Sequence, residues 1–377
     1  MTLQTSKNKS KLKRFLKLNY ERILSHSSNI LHILKYKNKF GFSYLDIKNK
    51  TTDIGENLHN EIIKRIIVAY NKSKKAQENA PLAYQVGGDW NIIINKDYGD
   101  LIKNLQRQDI EGVKSILKNF CRVCSRGLEM SSDYESLMKN NFFYHSYFYL
   151  YRFNRSLDIW RKYVRDALNE LNFPNIGNPF GMNINGNLIP ICSIRHNYYA
   201  KKLLALSTNI KNPVICEIGG GFGGMAYYLL KKEKIKYINF DIPEIVAIIS
   251  YFLMLAYPNK KFKLFSENIG DADITLMPNF EFPKLKDNSV DIVFNSHSFI
   301  EMDDYTILEY IKQINRVCKR YFLHINHYIT KNYKKGFQQN TKISKLYPKS
   351  FTKIYVFPEL FAPVSQLYDE YLCEKKE

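Results

Sequence analysis

The sequence predicts an α/β protein: a mostly parallel sheet with helices on both faces, behind a mainly helical N-terminal half. Three observations predict it. From Pro213 onward, short β-rich runs alternate with apolar helical stretches, which is the spacing of βαβ units. Between about residues 57 and 172 the apolar residues recur with a helical period instead. The first β-rich run opens directly into a cluster of glycines, Gly219–Gly224.

The elements follow in order. Ile62, Ile63, Ile66, Ile67 and Tyr70 fall on one face of a helix, and Ile110, Val113, Ile116, Leu117 and Phe120 repeat that spacing. Tyr144–Leu168 is crowded with aromatics and arginine. Tyr147, Tyr151, Arg152 and Trp160 at helical spacing read as core before they read as a stacking platform. Asn172–Pro190 is rich in Gly, Pro and Asn, the composition of an irregular connector, and a helical run, Tyr198–Leu206, follows. Val214–Ile218 is a strand, Met225–Leu230 a helix, Tyr237–Asp241 a strand, and Glu244–Tyr257 a helix closed by Pro258. Lys261–Phe265 and Ile274–Met277 are both strand candidates that the sequence does not rank. Val290–Asn295 is a buried strand. Asp303 or Asp304 caps a helix with Ile307, Tyr310, Ile311, Ile314 and Val317 on one face. Tyr321–Asn326 is the next strand, and Lys353–Phe357 with Tyr368–Cys373 supply a final antiparallel pair. The chain thus divides into a basic segment (1–50), a helical domain (51–200) and a sheet domain (201–377).

Composition sets the outer limits. The 377 residues are 45 % hydrophobic, enough to bury a sizeable core and to exclude wholesale disorder. Six cysteines are too sparse for a disulfide framework, which fits a reducing cytoplasm. The net charge of +20 invites a nucleic-acid partner, but its distribution argues against one. Residues 1–50 carry a net +10 and residues 331–353 a net +7, whereas residues 213–330 hold thirteen basic and fourteen acidic side chains. The N-terminus lacks the apolar core of a secretory signal, and the longest apolar stretch, Ile245–Tyr257, is too short to span a bilayer. Residues 11–34 interleave Leu, Ile and Phe with Lys and Arg. They read either as a solvated arm or as a basic amphipathic helix touching the anionic inner face of the membrane.

The chemistry gathers at Glu217-Ile-Gly219-Gly-Gly221-Phe-Gly223-Gly224. Glycines between a strand and a helix let the backbone turn tightly and approach a ligand without a Cβ in the way. Asp241 ends the next strand, where a carboxylate accepts hydrogen bonds from ribose hydroxyls. A strand, a glycine turn, a helix and a correctly placed acid imply a Rossmann-like domain and a nucleoside-containing cofactor. A P-loop is excluded, since Met225 and Ala226 stand where Lys and Ser/Thr would meet phosphates. The glycine spacing also satisfies GxGxxG, so an NAD-dependent oxidoreductase or epimerase remains open. Two features favour S-adenosylmethionine: Glu217, placed to hold the methionine amine, and the antiparallel pair beyond the fifth strand.

Ile215–Gly224 (ICEIGGGFGG) resembles the first motif of class I methyltransferases. More narrowly, the chain resembles the sugar O-methyltransferases found with bacterial surface-polysaccharide genes. The likeness runs through Phe240–Pro243, Leu276–Phe282, Asn295–Met302 and Tyr321–Asn326, with a looser likeness over Trp90–Phe120 and Arg195–Tyr199. It covers about residues 80–377. It implies a seven-stranded, mostly parallel sheet, S-adenosylmethionine as cofactor, and methylation of a sugar nucleotide or glycan-precursor hydroxyl. By that likeness Asn279 and Asn295 line the cofactor pocket beside Glu217, Gly219, Gly221, Gly223 and Asp241. The family often has another polar residue, or Phe or Asn, where this chain has His297.

A sugar hydroxyl needs a general base within hydrogen-bond reach. Three residues follow the carboxyl ends of strands, where ligands sit in such sheets: His297, Glu301 and His327. His297 stands first because imidazole titrates near neutrality. Glu301, Asp303 and Asp304 also suit Mg²⁺, although helix capping is the better reading of the two aspartates. Arg195 and His196 precede the first strand, where they can close over the methionine carboxylate or the substrate. A nucleic-acid-directed methyltransferase or binding module is the remaining alternative, without the Asp/Asn-Pro-Pro-Tyr signature of amino-methylating enzymes. Cys121 and Cys124 form a lone pair in a helical pattern and read as packing.

Overall fold

A computed structural model describes residues 40–50, 55–87, 89–124, 128–139, 142–232, 234–327, 348–361 and 368–376. The basic stretches at residues 1–39 and 328–347, including all of the amphipathic candidate (11–34) and most of the basic run at 331–353, lie outside the described residues.

Among the described residues, the N-terminal half holds the short strand β1 (Leu45–Asp46) and seven helices: α1 (Glu56–Gln77), α2 (Asp89–Asp97), α3 (Gly99–Gln106), α4 (Ile110–Leu117), α5 (Phe120–Val123), α6 (Glu129–Leu137) and α7 (Phe142–Tyr163). The spacing read over 110–120 is helical but broken, with α5 restarting at Asn119. The connector contains a hairpin, β2 (Gly181–Ile184) and β3 (Asn187–Ile189), and β2 pairs antiparallel with β1. Its turn is Asn185-Gly186, both at positive φ, the conformation that two-residue hairpin loops demand. Helix α8 (Ile191–Ser207) leads into the sheet.

The second half runs β4 (Val214–Ile218), α9 (Gly224–Leu229), β5 (Lys236–Asp241), α10 (Pro243–Ala256), β6 (Phe262–Leu264), β7 (Ile274–Pro278), β8 (Val290–Ser296), α11 (Asp304–Val317), β9 (Cys318–His327), β10 (Phe351–Pro358) and β11 (Tyr368–Lys375). The strand order is β10-β11-β9-β8-β4-β5-β7-β6. Both unranked candidates form strands, so the sheet has eight members, one more than the resemblance implies. Strand β11 alone runs against its neighbours, antiparallel to β9 and β10. Strand β4 pairs in parallel with β5 on one side and β8 on the other, so the chain reverses its direction of travel across the sheet there. At such a switch point the loops leaving neighbouring strands part and open a crevice.

One apolar core runs from Ile62, Ile66 and Tyr70 of α1 through Phe120 and Trp160 to Tyr251 and Phe252 of α10 and Phe294 of the sheet. Of the aromatic run of α7, Tyr149, Phe153 and Trp160 join it, whereas Tyr147 is exposed rather than core; Trp160 is fully buried with its indole N–H on Asn197 Oδ1 at 2.8 Å. All six cysteines are free thiols and buried. No helix among the described residues is long and apolar enough to cross a membrane.

Candidate functional site

The crevice at the switch point holds two adjoining cavities, of about 150 and 350 Å³. Both are lined by Gly219, Gly221, Ser296, His297 and Glu301.

The glycine turn builds the shared wall. Gly219, Gly221 and Gly223 all stand at positive φ. At Gly223 (φ +90°) a Cβ would lie 2.8 Å from Ile249, so both the turn and the close approach to α10 require glycine. Gly223 therefore shapes the turn without lining either cavity. The turn is pinned by Gly219 N–H on the Phe240 carbonyl (2.9 Å) and Gly220 N–H on Asn239 Oδ1 (3.2 Å).

Asp241 lines the first cavity. Its two carboxylate oxygens accept from the Gly221 and Ile242 amides at 3.1 and 2.8 Å, leaving further lone pairs for hydroxyl donors. Burial pushes its carboxyl up to about 7 despite those two bonds. Asn279 lies deeper in the same cavity. It donates to the Tyr84 carbonyl at 3.0 Å, and its Oδ1 has no hydrogen-bond partner. Asn295 lies elsewhere: it is fully buried, donates to the Ile218 carbonyl (2.9 Å) and to Ser298 Oγ, and accepts from Asn326 (2.9 Å). It clamps β4, β8 and β9 together behind the site and lines neither cavity.

Glu217 faces the second cavity and accepts from the Tyr237 hydroxyl. Burial pushes its carboxyl up to about 8. Arg195 and His196 line that cavity too. Arg195 is held by Glu129 of α6 at 2.6 Å. Burial would raise the Glu129 carboxyl, but Arg195, His196 and Arg152 outweigh it and hold it below its ordinary value. His196 Nδ1 has no hydrogen-bond partner, and burial lowers the imidazole to about 4, so the ring is neutral.

His297 follows the last residue of β8 at φ +62°, a left-handed conformation rare for a side chain with a Cβ. The Ile325 carbonyl fixes it there, accepting its amide at 2.8 Å. Nδ1 lies 2.7 Å from Ser296 Oγ, Nε2 lies 3.9 Å from Glu359 Oε2, and the ring packs edge-on against Tyr368 at 4.4 Å. Glu301 accepts from the Trp90 indole at 2.7 Å, which ties α2 of the helical half to the crevice. His327 ends β9 opposite Tyr368, and its side chain lies outside the described residues. His324 is stacked between Phe322 and Tyr371 and lowered by burial to about 3, a core residue. Asp303 is the N-cap of α11, accepting from the Thr306 amide at 2.8 Å. Among the described residues, no cluster of three or more His, Cys, Asp or Glu is arranged to hold a metal ion.

Trp90, Glu129, Glu359 and Tyr368 were not indicated as site residues by local pattern. Each arrives from far along the chain, Trp90 meeting a partner 211 positions away. The two cavities share one further property. Among their described lining residues, acids are plentiful (Asp241, Glu217, Glu301, Glu129, Asp303), while Arg195 is the one Lys or Arg and is already ion-paired.

No family model matches the chain, and no curated protein matches its sequence. Solved structures do. The magnesium protoporphyrin IX methyltransferase of Synechocystis PCC 6803 with bound SAH is 12 % identical, with a TM-score of 0.35 over 61 % of this chain and 99 % of that one. The mitomycin 7-O-methyltransferase MmcR is also 12 % identical, with a TM-score of 0.34 over 49 % of this chain and 55 % of that one.

Proposed function

We propose that the protein is an S-adenosylmethionine-dependent O-methyltransferase acting on a hydroxyl of a sugar or surface-glycan precursor. The observation that carries this reading is the charge of the crevice. A glycine turn with a carboxylate beside it suits a nucleoside, and an acid-rich lining whose single described cation is already paired suits a ligand bearing positive charge. The pyrophosphate of a dinucleotide would meet those carboxylates unshielded.

The residues fit such a cofactor. Asp241 would take the ribose hydroxyls. Asn279 Oδ1, an acceptor buried without a partner, would take the exocyclic amine of adenine, and Glu217 the methionine ammonium. Bound, the cofactor supplies an electrophilic methyl group on a sulfonium. The chain's part is then to hold the acceptor oxygen in line, keep water out and take the hydroxyl proton. His297, between both cavities, is the base in this reading. Tyr199, Phe222, Phe294 and Tyr368 give the second cavity aromatic walls among polar groups, the lining that suits a sugar ring. The sugar assignment rests on that lining together with the resemblance of the sequence.

Calorimetric titration separates the readings. Tight binding of S-adenosylhomocysteine with none of NAD supports the proposal, and the reverse pattern sinks it. His297→Ala should lower methyl transfer to nucleotide-linked sugars by ~10²–10⁴-fold while leaving S-adenosylhomocysteine affinity unchanged. Mass spectrometry of the surface glycan with and without the gene identifies the acceptor.

A further inference from the structure

His297 stands in a left-handed conformation at the end of a strand, with a different partner on each ring nitrogen. A strained non-glycine residue persists only where its surroundings over-determine it, and such residues cluster at functional sites. Here the surroundings are specific. The Ile325 carbonyl fixes the backbone, Tyr368 packs on the ring, Ser296 Oγ lies at Nδ1, and the carboxylate of Glu359 lies beyond Nε2. Ser296 lines both cavities, whereas the Glu359 side chain has no solvent exposure.

We infer that Ser296, His297 and Glu359 form a proton relay, with Ser296 meeting the acceptor hydroxyl, His297 Nδ1 receiving the proton and Glu359 positioning the ring. The inference deepens the methyltransferase reading and rests on it.

The carboxylate beyond Nε2 selects the tautomer with its proton on Nε2, so the Nδ1 lone pair faces Ser296. The acceptor's O–H proton passes to Ser296 Oγ as the serine's own proton passes to Nδ1. The acceptor oxygen's electron pair forms the new C–O bond, and the pair of the breaking C–S bond leaves with sulfur. The imidazolium sits 3.9 Å from a carboxylate until it returns its proton to water. Glu359 does not touch the acceptor; it acts through the ring. Its own place is fixed by the Tyr199 hydroxyl at 3.3 Å and by its backbone amide on the Tyr368 carbonyl at 2.9 Å. Among the described residues, Glu301 on the loop after β8, Arg195 and Tyr198 on α8, and Tyr368 also lie near the ring and its carboxylate.

Ring ¹⁵N spectra of the full-length protein test this without an acceptor, the His297 signals being assigned by their loss in His297→Gln. In the wild type the neutral ring should carry its proton on Nε2, and Glu359→Gln should lower the ring's titration midpoint by about one pH unit, because an opposite charge at this range favours the protonated form. A proton on Nδ1 in the wild type, or a midpoint unmoved in Glu359→Gln, overturns the relay. The wild-type tautomer is read without Glu359→Gln and needs only His297→Gln to fold for the assignment. Titration with S-adenosylhomocysteine is the separate arm: its failure removes the methyltransferase reading, whereas failure of the ring measurement removes only the relay.

Discussion

The two cavities share the wall at Gly219 and Gly221 but are assembled differently. The first is lined by the ends of β4 and β5, the loop after β8 with the start of α11, and residues 83–90 of the helical half, with Asp241 held by the glycine turn's own amides. The second is closed by groups brought from afar: Glu129 from the helical half, Arg195 and His196 from α8, and Tyr368 from the terminal hairpin. The difference teaches which substitutions should report on which ligand. Changes around the first cavity should act on cofactor affinity, and changes around the second on the acceptor and on stability.

The largest expected effect is at the shared wall. Gly221→Val places a β-branched side chain at φ +57° and fills space that both cavities use, so S-adenosylhomocysteine binding should fall by at least ~10²-fold in calorimetry. Near-normal affinity would break the assignment of this turn to the cofactor. Glu129→Gln comes next and should act on the second cavity alone. It removes the carboxylate in direct contact with Arg195, leaving Glu359 as its remaining acidic neighbour, and both side chains keep a fifth to a quarter of their surface in solvent. The loss should therefore lie below the range for fully buried pairs, about 2 kcal/mol in denaturant unfolding, with cofactor affinity unchanged. A variant as stable as the wild type but weak in cofactor binding would erase the distinction between the cavities.

A pH series sharpens it further. The raised carboxyls of Asp241 (about 7) and Glu217 (about 8) hold protons in the free protein at acid pH, whereas hydroxyl and ammonium donors bind the ionised forms. S-adenosylhomocysteine affinity should therefore weaken as pH falls through 8 and 7, by up to ~10-fold per pH unit for each group, and level off above about 9. In Asp241→Asn the lower part of that dependence should vanish. The smallest effect is expected at Trp90→Phe, which removes one indole hydrogen bond to Glu301. About 1 kcal/mol, or ~5-fold in S-adenosylhomocysteine affinity, is its expected size.

What was legible in the sequence follows the same line. The sheet, the glycine turn, Asp241 and the terminal hairpin could be read because each is carried by neighbouring residues whose period or spacing has a local cause. The β2–β3 hairpin carried such a signal as well, in Asn185-Gly186 between short apolar runs, but the surrounding Gly and Pro masked it as a loop. Glu359 and Glu129 had no signal. A single acid in a helical or connecting stretch looks like any solvated charge until folding sets it against His297 or Arg195. Asn295 shows the converse: a polar residue at the end of a central strand matches a pocket position in sequence, yet three hydrogen bonds turn it inward as a clamp.

Glu244 is fully buried at the start of α10, three residues after Asp241, and is held from outside by Lys74 at 3.0 Å and the Tyr70 hydroxyl at 3.3 Å. Both belong to α1, so the helical half reaches around the sheet to anchor the junction from which the cofactor carboxylate projects. Chimeras that trade one helical half for another to change the acceptor would cut this tie. An exchange that preserves Lys74, Tyr70 and their seat on α10 should keep the cofactor site intact, which makes the outer face of α1 the graft boundary to respect.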